Sequence, residues 1–250
     1  MKFFRWLRKL PLHWHRVLLL LFGVSALLVA TDELAKLLSS DSTLLSGLVF
    51  GAVIYISTMN GGPIVRFCIN NEVKESLAKN GVSQLINQWS DGRRIEVSVV
   101  EMDDMRSALV GERHGYRLFI STGALTHLSP MGTAGVLAHE AGHVRRRHCE
   151  RICILLGTIG ASKIAFDIPP IGIIVILMTY LYLSRQREFA ADATGAELVG
   201  KDAMLAAFNE HRRATNEADI SSFTEVFVTH PSLHRRIAAV QAMPQRTLEQ

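Results

Sequence analysis

Cysteine is scarce. The 250 residues hold 3, Cys68, Cys149 and Cys153. An odd, small number builds no disulfide framework, which points to a reducing, intracellular-facing environment. Glycine shows no collagen-like period, charged heptads are not sustained, and neither an internal repeat nor a low-complexity stretch is present, so fibrous and solenoid arrays are excluded. Apolar residues are not lacking: 48% of the chain is hydrophobic and mean hydropathy is +0.20, which excludes disorder over most of the length. What is missing, counted strictly, is a run of the about 20 apolar residues that carry a helix across a bilayer.

Four runs come near: Val17–Ala30, Leu44–Met59, Ile152–Phe166 and Ile168–Leu183. The first lengthens to Leu12–Ala30 if His13, His15 and Arg16 snorkel to the interface. The second has no charged residue from Ser42 to Gly62. A cleaved signal peptide explains the first run less well than a membrane hairpin. Asp32 and Glu33 follow at once, no small-x-small cleavage site sits cleanly behind the run, and a second apolar run arrives soon after.

The formal charge of +4 raises nucleic acid as a partner. The basic residues, however, flank the apolar runs: Lys2, Arg5, Arg8, Lys9 and Arg16 before the first, Arg145, Arg146, Arg147 and Arg151 before the third, Arg185 and Arg187 after the fourth. That is the positive-inside pattern of a multi-pass inner-membrane protein with both termini and the long middle segment in the cytoplasm. It argues against nucleic acid and for a lipid bilayer as partner. The expected division is a basic N-terminus and transmembrane hairpin (1–60), a cytoplasmic domain (61–150), a second hydrophobic hairpin, spanning or partly inserted (151–184), and a helical remainder (185–250).

The polar segments read as mainly α with a small β-sheet. Glu72–Ser90 has helical periodicity, with Val73, Leu77, Leu85, Ile86 and Trp89 inward and Gly81 as a break. Ile95, Val97 and Val99 alternate as in a strand, and Arg117–Ser121 is a second. Ser129 or Thr133 is placed to cap a helix through Gly135–His143. Ser184–Val199, Lys201–Thr215 and Pro231–Gln241 follow as helices.

The chemistry centres on His139-Glu140-Ala141-Gly142-His143. On a helix, His139 and His143 share one face and can bind one zinc ion, while Glu140 beside it can hold the activated water and take its proton as general base. Gly142 costs this helix about 1 kcal/mol in propensity. A catalytic zinc needs a third protein ligand and an open position. Glu188 and Asp192 also lie four apart, among the small residues Ala190, Ala191 and Ala193. Alone, such a pair reads as a solvated face. With the histidine motif upstream, Glu188 becomes the third-ligand candidate, and Asp192 the acceptor for a ligand histidine's other ring nitrogen. His148, His211 and His234 have no partner at ligand spacing and read as solvated. Cys149 and Cys153 share a helix face beside His148 and read as small membrane-proximal cysteines rather than a second metal site.

These elements together resemble the HtpX-type branch of membrane zinc metalloproteases, relatives of the CAAX prenyl proteases. Leu137–Val144 is similar to the family's zinc helix, and Ser184–Ala193 to its Glu-x-x-x-Asp segment. Phe119–Leu125 is similar to the strand and turn before the zinc helix, and Thr229–Ile237 to its late His-Pro segment. The resemblance implies a zincin-like protease domain fused to transmembrane helices, one Zn2+ per chain, and protein or peptide substrates, membrane or misfolded proteins among them, in quality control. It also implies that His230 stabilises the oxyanion and that Arg236 organises the glutamate ligand. Arg106 stands where relatives commonly carry an asparagine, so substrate positioning is expected to differ. The peptide backbone is expected along the edge of the Arg117–Ser121 strand. The rival classes are a non-catalytic membrane scaffold with a structural metal, and a soluble zincin-like enzyme whose apolar runs are core helices.

Overall fold

A computed structural model describes residues 72–73, 77–112, 114–166, 169–215 and 229–244, and, upstream, Glu33, Gly51, Ala52 and Tyr55. The expected N-terminal membrane hairpin, residues 1–60, therefore lies almost wholly outside the described residues. In chain order the elements are β1 (Glu72–Val73), α1 (Leu77–Trp89), β2 (Ile95–Val100), β3 (Ser107–Glu112), β4 (Gly115–Ser121), α2 (Thr122–His127), α3 (Pro130–Arg145), α4 (His148–Phe166), α5 (Pro170–Val199), α6 (Lys201–Thr215) and α7 (Leu233–Ala242). The chain divides into two compact units. One comprises residues 1–72, 110–113 and 149–174; the other, which holds the candidate site, comprises 73–109, 114–148 and 175–250. The small sheet and predominant helix match the α+β expectation.

The sheet order is β1-β2-β4-β3. β2 and β4 run parallel, Ile95 opposite Tyr116 through to Val100 opposite Ser121. β2 does more than alternate. Ile95, Val97, Ser98, Val99 and Val100 are all buried, as expected of a strand covered on both faces; α1 packs against it. Buried Ser98 accepts a hydrogen bond from Arg117 Nη1 at 3.2 Å, and Arg117 Nη2 pairs with Glu96 at 2.5 Å. One expectation is corrected here. β4, the Arg117–Ser121 strand, is interior, and β3 is the edge. The Met105–Gly111 stretch has little apolar alternation, so the strand that takes the outer place was not legible.

α1 runs through Gly81 without a break; a single glycine costs about 1 kcal/mol, which the burial of Val82 and Ile86 offsets. Leu85, expected inward, is exposed, because the inward stripe is centred on Val82 and Ile86. The fourth apolar run does not end its helix at residue 184. α5 continues unbroken to Val199, since Ser184–Val199 contains no breaker and Gly200, at φ +85°, supplies the left-handed residue that ends it. The first half of α5 exposes Ile171, Ile174, Val175, Leu177, Tyr182 and Leu183. Among the described residues, no helix is long and apolar enough to cross a membrane.

α3 is the buried centre of its unit. Leu137, Ala138, Ala141 and Val144 are fully shielded, and small residues are what allow neighbours so close. A Cβ on Gly142 would lie 2.6 Å from the carbonyl oxygen of Ala191 in α5. The propensity lost at Gly142 thus permits backbone contact between the two helices that carry the candidate ligands. The N-terminus of α3 is capped by Ser129, whose Oγ accepts from Gly132 N at 3.0 Å. Ser129 itself donates to Glu210 of α6 through both Oγ (2.7 Å) and N (2.8 Å). Below lies a cluster of Ala196, Met204, Phe208 and Val240.

Candidate metal centre

Helix periodicity places His139 and His143 one turn apart on α3; Gly142–Ala191 contact brings α5 alongside. The result is a set of three donors. His139 Nε2 lies 3.1 Å from His143 Nε2 and 3.6 Å from Glu188 Oε2, and His143 Nε2 lies 3.5 Å from Glu188 Oε1. Tetrahedral zinc with ligands at about 2.0–2.1 Å needs neighbouring donors about 3.3 Å apart. The set fits zinc in type and in spacing. Among the described residues it is the one group of His, Cys, Asp or Glu donors with such spacing; Cys149 and Cys153 belong to none.

Around these donors the remaining predicted residues assemble. Asp192, 1% exposed, accepts from His139 Nδ1 at 2.8 Å, which leaves Nε2 as the donor to a metal. Arg236 grips Asp192 from α7, Nη2 to Oδ1 at 2.6 Å and Nε to Oδ2 at 2.8 Å, and its Nη1 is 3.8 Å from Glu188 Oε2. His230 Nδ1 lies 3.2 Å from the same Glu188 oxygen, and its side chain is otherwise 69% exposed. Glu140 is buried and receives the Ser107 hydroxyl at Oε1, 2.6 Å away.

Electrostatics follow from burial among charges. Burial would raise Glu188, but the His230 hydrogen bond and the charges of His139, His143 and Arg236 hold it well below 4.5, its ordinary value. Burial opposes ionised Asp192 too, yet Arg236 and His139 hold it below 3.8. Burial and Arg236 press His139 downward; the hydrogen bond and charge of Asp192, aided by Glu188, overcome both and raise it. Burial, then the charge of His139, lowers His143. Glu140 is raised, chiefly by burial.

The Asp192–Arg236 pair is therefore a buried fork–fork ion pair. Replacing Arg236 by Met should cost about 3 kcal/mol, the cost of a buried carboxylate deprived of its partner. Asp192 is held below its unfolded value, so this stability is complete above the ordinary aspartate range and fades as pH falls through and below it. Urea unfolding of the metal-stripped proteins should show a wide gap at pH 7 that narrows towards pH 3; a constant gap would count against the pair.

Two neighbours were not anticipated. Ser107 lies on the unforeseen edge strand, far upstream of Glu140. His148, expected to be solvated, is 5% exposed. It sits outside α3, so helical spacing gave no signal; the turn at Arg146–Arg147 folds it back. Arg106 pairs with Asp104 at 3.3 Å, while Ser107 beside it reaches Glu140.

The sequence model of Peptidase family M48 matches residues 72–244. The chain belongs to peptidase family M48. A Protease HtpX of Tolumonas auensis is 28% identical over 192 residues, covering 59% of this chain and 66% of the relative. A Protease HtpX of Escherichia coli is 24% identical over 286 aligned positions, covering 90% and 97%. The crystal structure of S. mikatae Ste24p shares the fold with a TM-score of 0.70 at 15% identity, over 91% of this chain and 64% of that one. The chain thus spans just under two thirds of two of these proteins and nearly all of the third. The M48 match takes in α3, α5 and α7, the helices that carry the donors and Arg236.

Proposed function

We propose that this M48 member is a membrane-anchored zinc endopeptidase that hydrolyses peptide bonds of membrane or misfolded proteins, its protease domain facing the cytoplasm. The observation that carries this reading is the convergence of His139, His143 and Glu188 beside a buried Glu140. When bound, zinc supplies the Lewis acidity that makes water a nucleophile near neutral pH and polarises the scissile carbonyl. Glu140 takes the proton from the attacking water and passes it to the leaving amine. Ser107 engages Oε1, so Oε2 carries that proton. His230, tied to Glu188 yet exposed, stabilises the oxyanion. Asp192 fixes the tautomer of His139, and Arg236 holds Asp192. The substrate backbone pairs with β3, the edge strand that also bears Ser107, by main-chain bonds that demand no particular sequence.

The apolar residues exposed on the first half of α5 and the flanking arginines support contact with a bilayer. The homologues' name, Protease HtpX, supports the hydrolase over a scaffold with a structural metal, as does a set of three donors among the described residues. The purified full chain should carry about one zinc and cleave casein. A chelator should abolish cleavage, and added zinc should restore it. Cleavage that persists after the metal is stripped would overturn the proposal.

A further inference from the structure

We propose that His148 is a positioning residue that fixes the tautomer and aim of His143; this rests on the reading of His139, His143 and Glu188 as zinc ligands. His143 turns Nε2 towards the other two donors and its opposite nitrogen, Nδ1, onto His148 Nδ1, 2.8 Å away. The two rings meet edge to face, centroids 4.9 Å apart at 73°, and His148 is 5% exposed. One proton lies between the two Nδ1 atoms. Zinc requires the lone pair of His143 Nε2, so the proton sits on His143 Nδ1 and His148 Nδ1 accepts it. The partner of His139 is the Asp192 carboxylate; that of His143 is this neutral imidazole.

The chain builds the contact deliberately. α3 stops at Arg145, and Arg147 takes a left-handed φ of +53°, a conformation uncommon for a side-chain-bearing residue. Arg147 N donates to Val144 O at 3.0 Å and Arg146 N to Gly142 O at 3.1 Å. Arg93 clamps the same end of the helix by donating from Nη1 to Val144 O and, at 3.3 Å, to Arg145 O. Had α3 continued, the fifth residue after His143 would fall on another face of the helix. The turn brings it back over the ring of His143.

The test is zinc competition against a chromogenic chelator with the purified full chain, comparing wild type, His148→Phe, which keeps a ring without an acceptor, and His148→Asn, whose Oδ1 replaces the accepting nitrogen. Thermal melts of the metal-stripped proteins run alongside. The expected result is zinc held 10–100-fold more weakly by His148→Phe, an unchanged metal-free melt, and substantial recovery in His148→Asn. If His148→Phe does not fold, His148→Ala against His148→Asn carries the same comparison. Equal zinc retention by the wild type and the variant lacking an acceptor would overturn the proposal, and so would an asparagine no better than that variant. Wild type that binds no zinc would instead overturn the metal reading beneath it.

Discussion

Glu140→Gln should retain zinc as the wild type does and lose proteolysis by about 10²–10⁴-fold, the usual contribution of a positioned general base. The substitution is nearly isosteric. Its amide oxygen can still accept from the Ser107 hydroxyl that now sits 2.6 Å from Glu140 Oε1, and the metal donors His139, His143 and Glu188 are untouched. What disappears is the ability to take a proton from water and return it to the amine. Burial already raises Glu140 above its ordinary value, which brings it closer to the range where such transfer is efficient. The measurement is kcat on a casein or model substrate together with zinc content. A fall in kcat with KM and zinc unchanged is expected; undiminished turnover would remove Glu140 from the chemistry.

Glu188→Ala should act on the metal itself. It deletes one of three donors, the only anionic one, and zinc binding should weaken by roughly 10²–10³-fold, about a quarter of the free energy of a four-ligand structural site. Activity at limiting zinc should vanish, and excess zinc should restore it only in part. Competition with a chelator measures this directly, and retention like that of the wild type would place the third ligand elsewhere. Acidity offers a second view. Glu188 is held well below 4.5, so its carboxylate stays ionised when the solution is mildly acidic. His139 is raised above 6.5, so on acidification it takes up a proton first and stops offering a lone pair. Zinc retention by the wild type should therefore weaken as pH drops through the histidine range, before the Glu188 carboxylate titrates.

Ser107 and His148 both touch residues that short-range periodicity identifies, yet neither is itself marked by periodicity. Ser107 depends on where β3 lies in the sheet, and the order β1-β2-β4-β3 depends on non-local pairing. The misplaced edge has the same cause: β2 carries an alternating apolar pattern and β4 a short apolar run, but neither pattern says which strand is outermost. Leu85 faces outward because the inward stripe of α1 is set by what α1 packs against. Gly81 does not break α1 because tertiary burial outweighs the cost of one glycine.

From the sequence alone came the four-residue spacings of His139 with His143 and of Glu188 with Asp192. The α-helix imposes these locally, through its 3.6-residue turn. The helical character of Lys201–Thr215 was legible for the same reason, whereas the choice of Ser129 over Thr133 as the cap of α3 came from the structure. Tertiary structure alone decided that Gly142 and Ala191 let α3 and α5 touch, that Arg236 returns from α7 to grip Asp192, and that the turn at Arg147 carries His148 onto His143. Those contacts join segments distant in the chain. They are decided by close packing and by the need of buried charges for partners, neither of which a local pattern encodes.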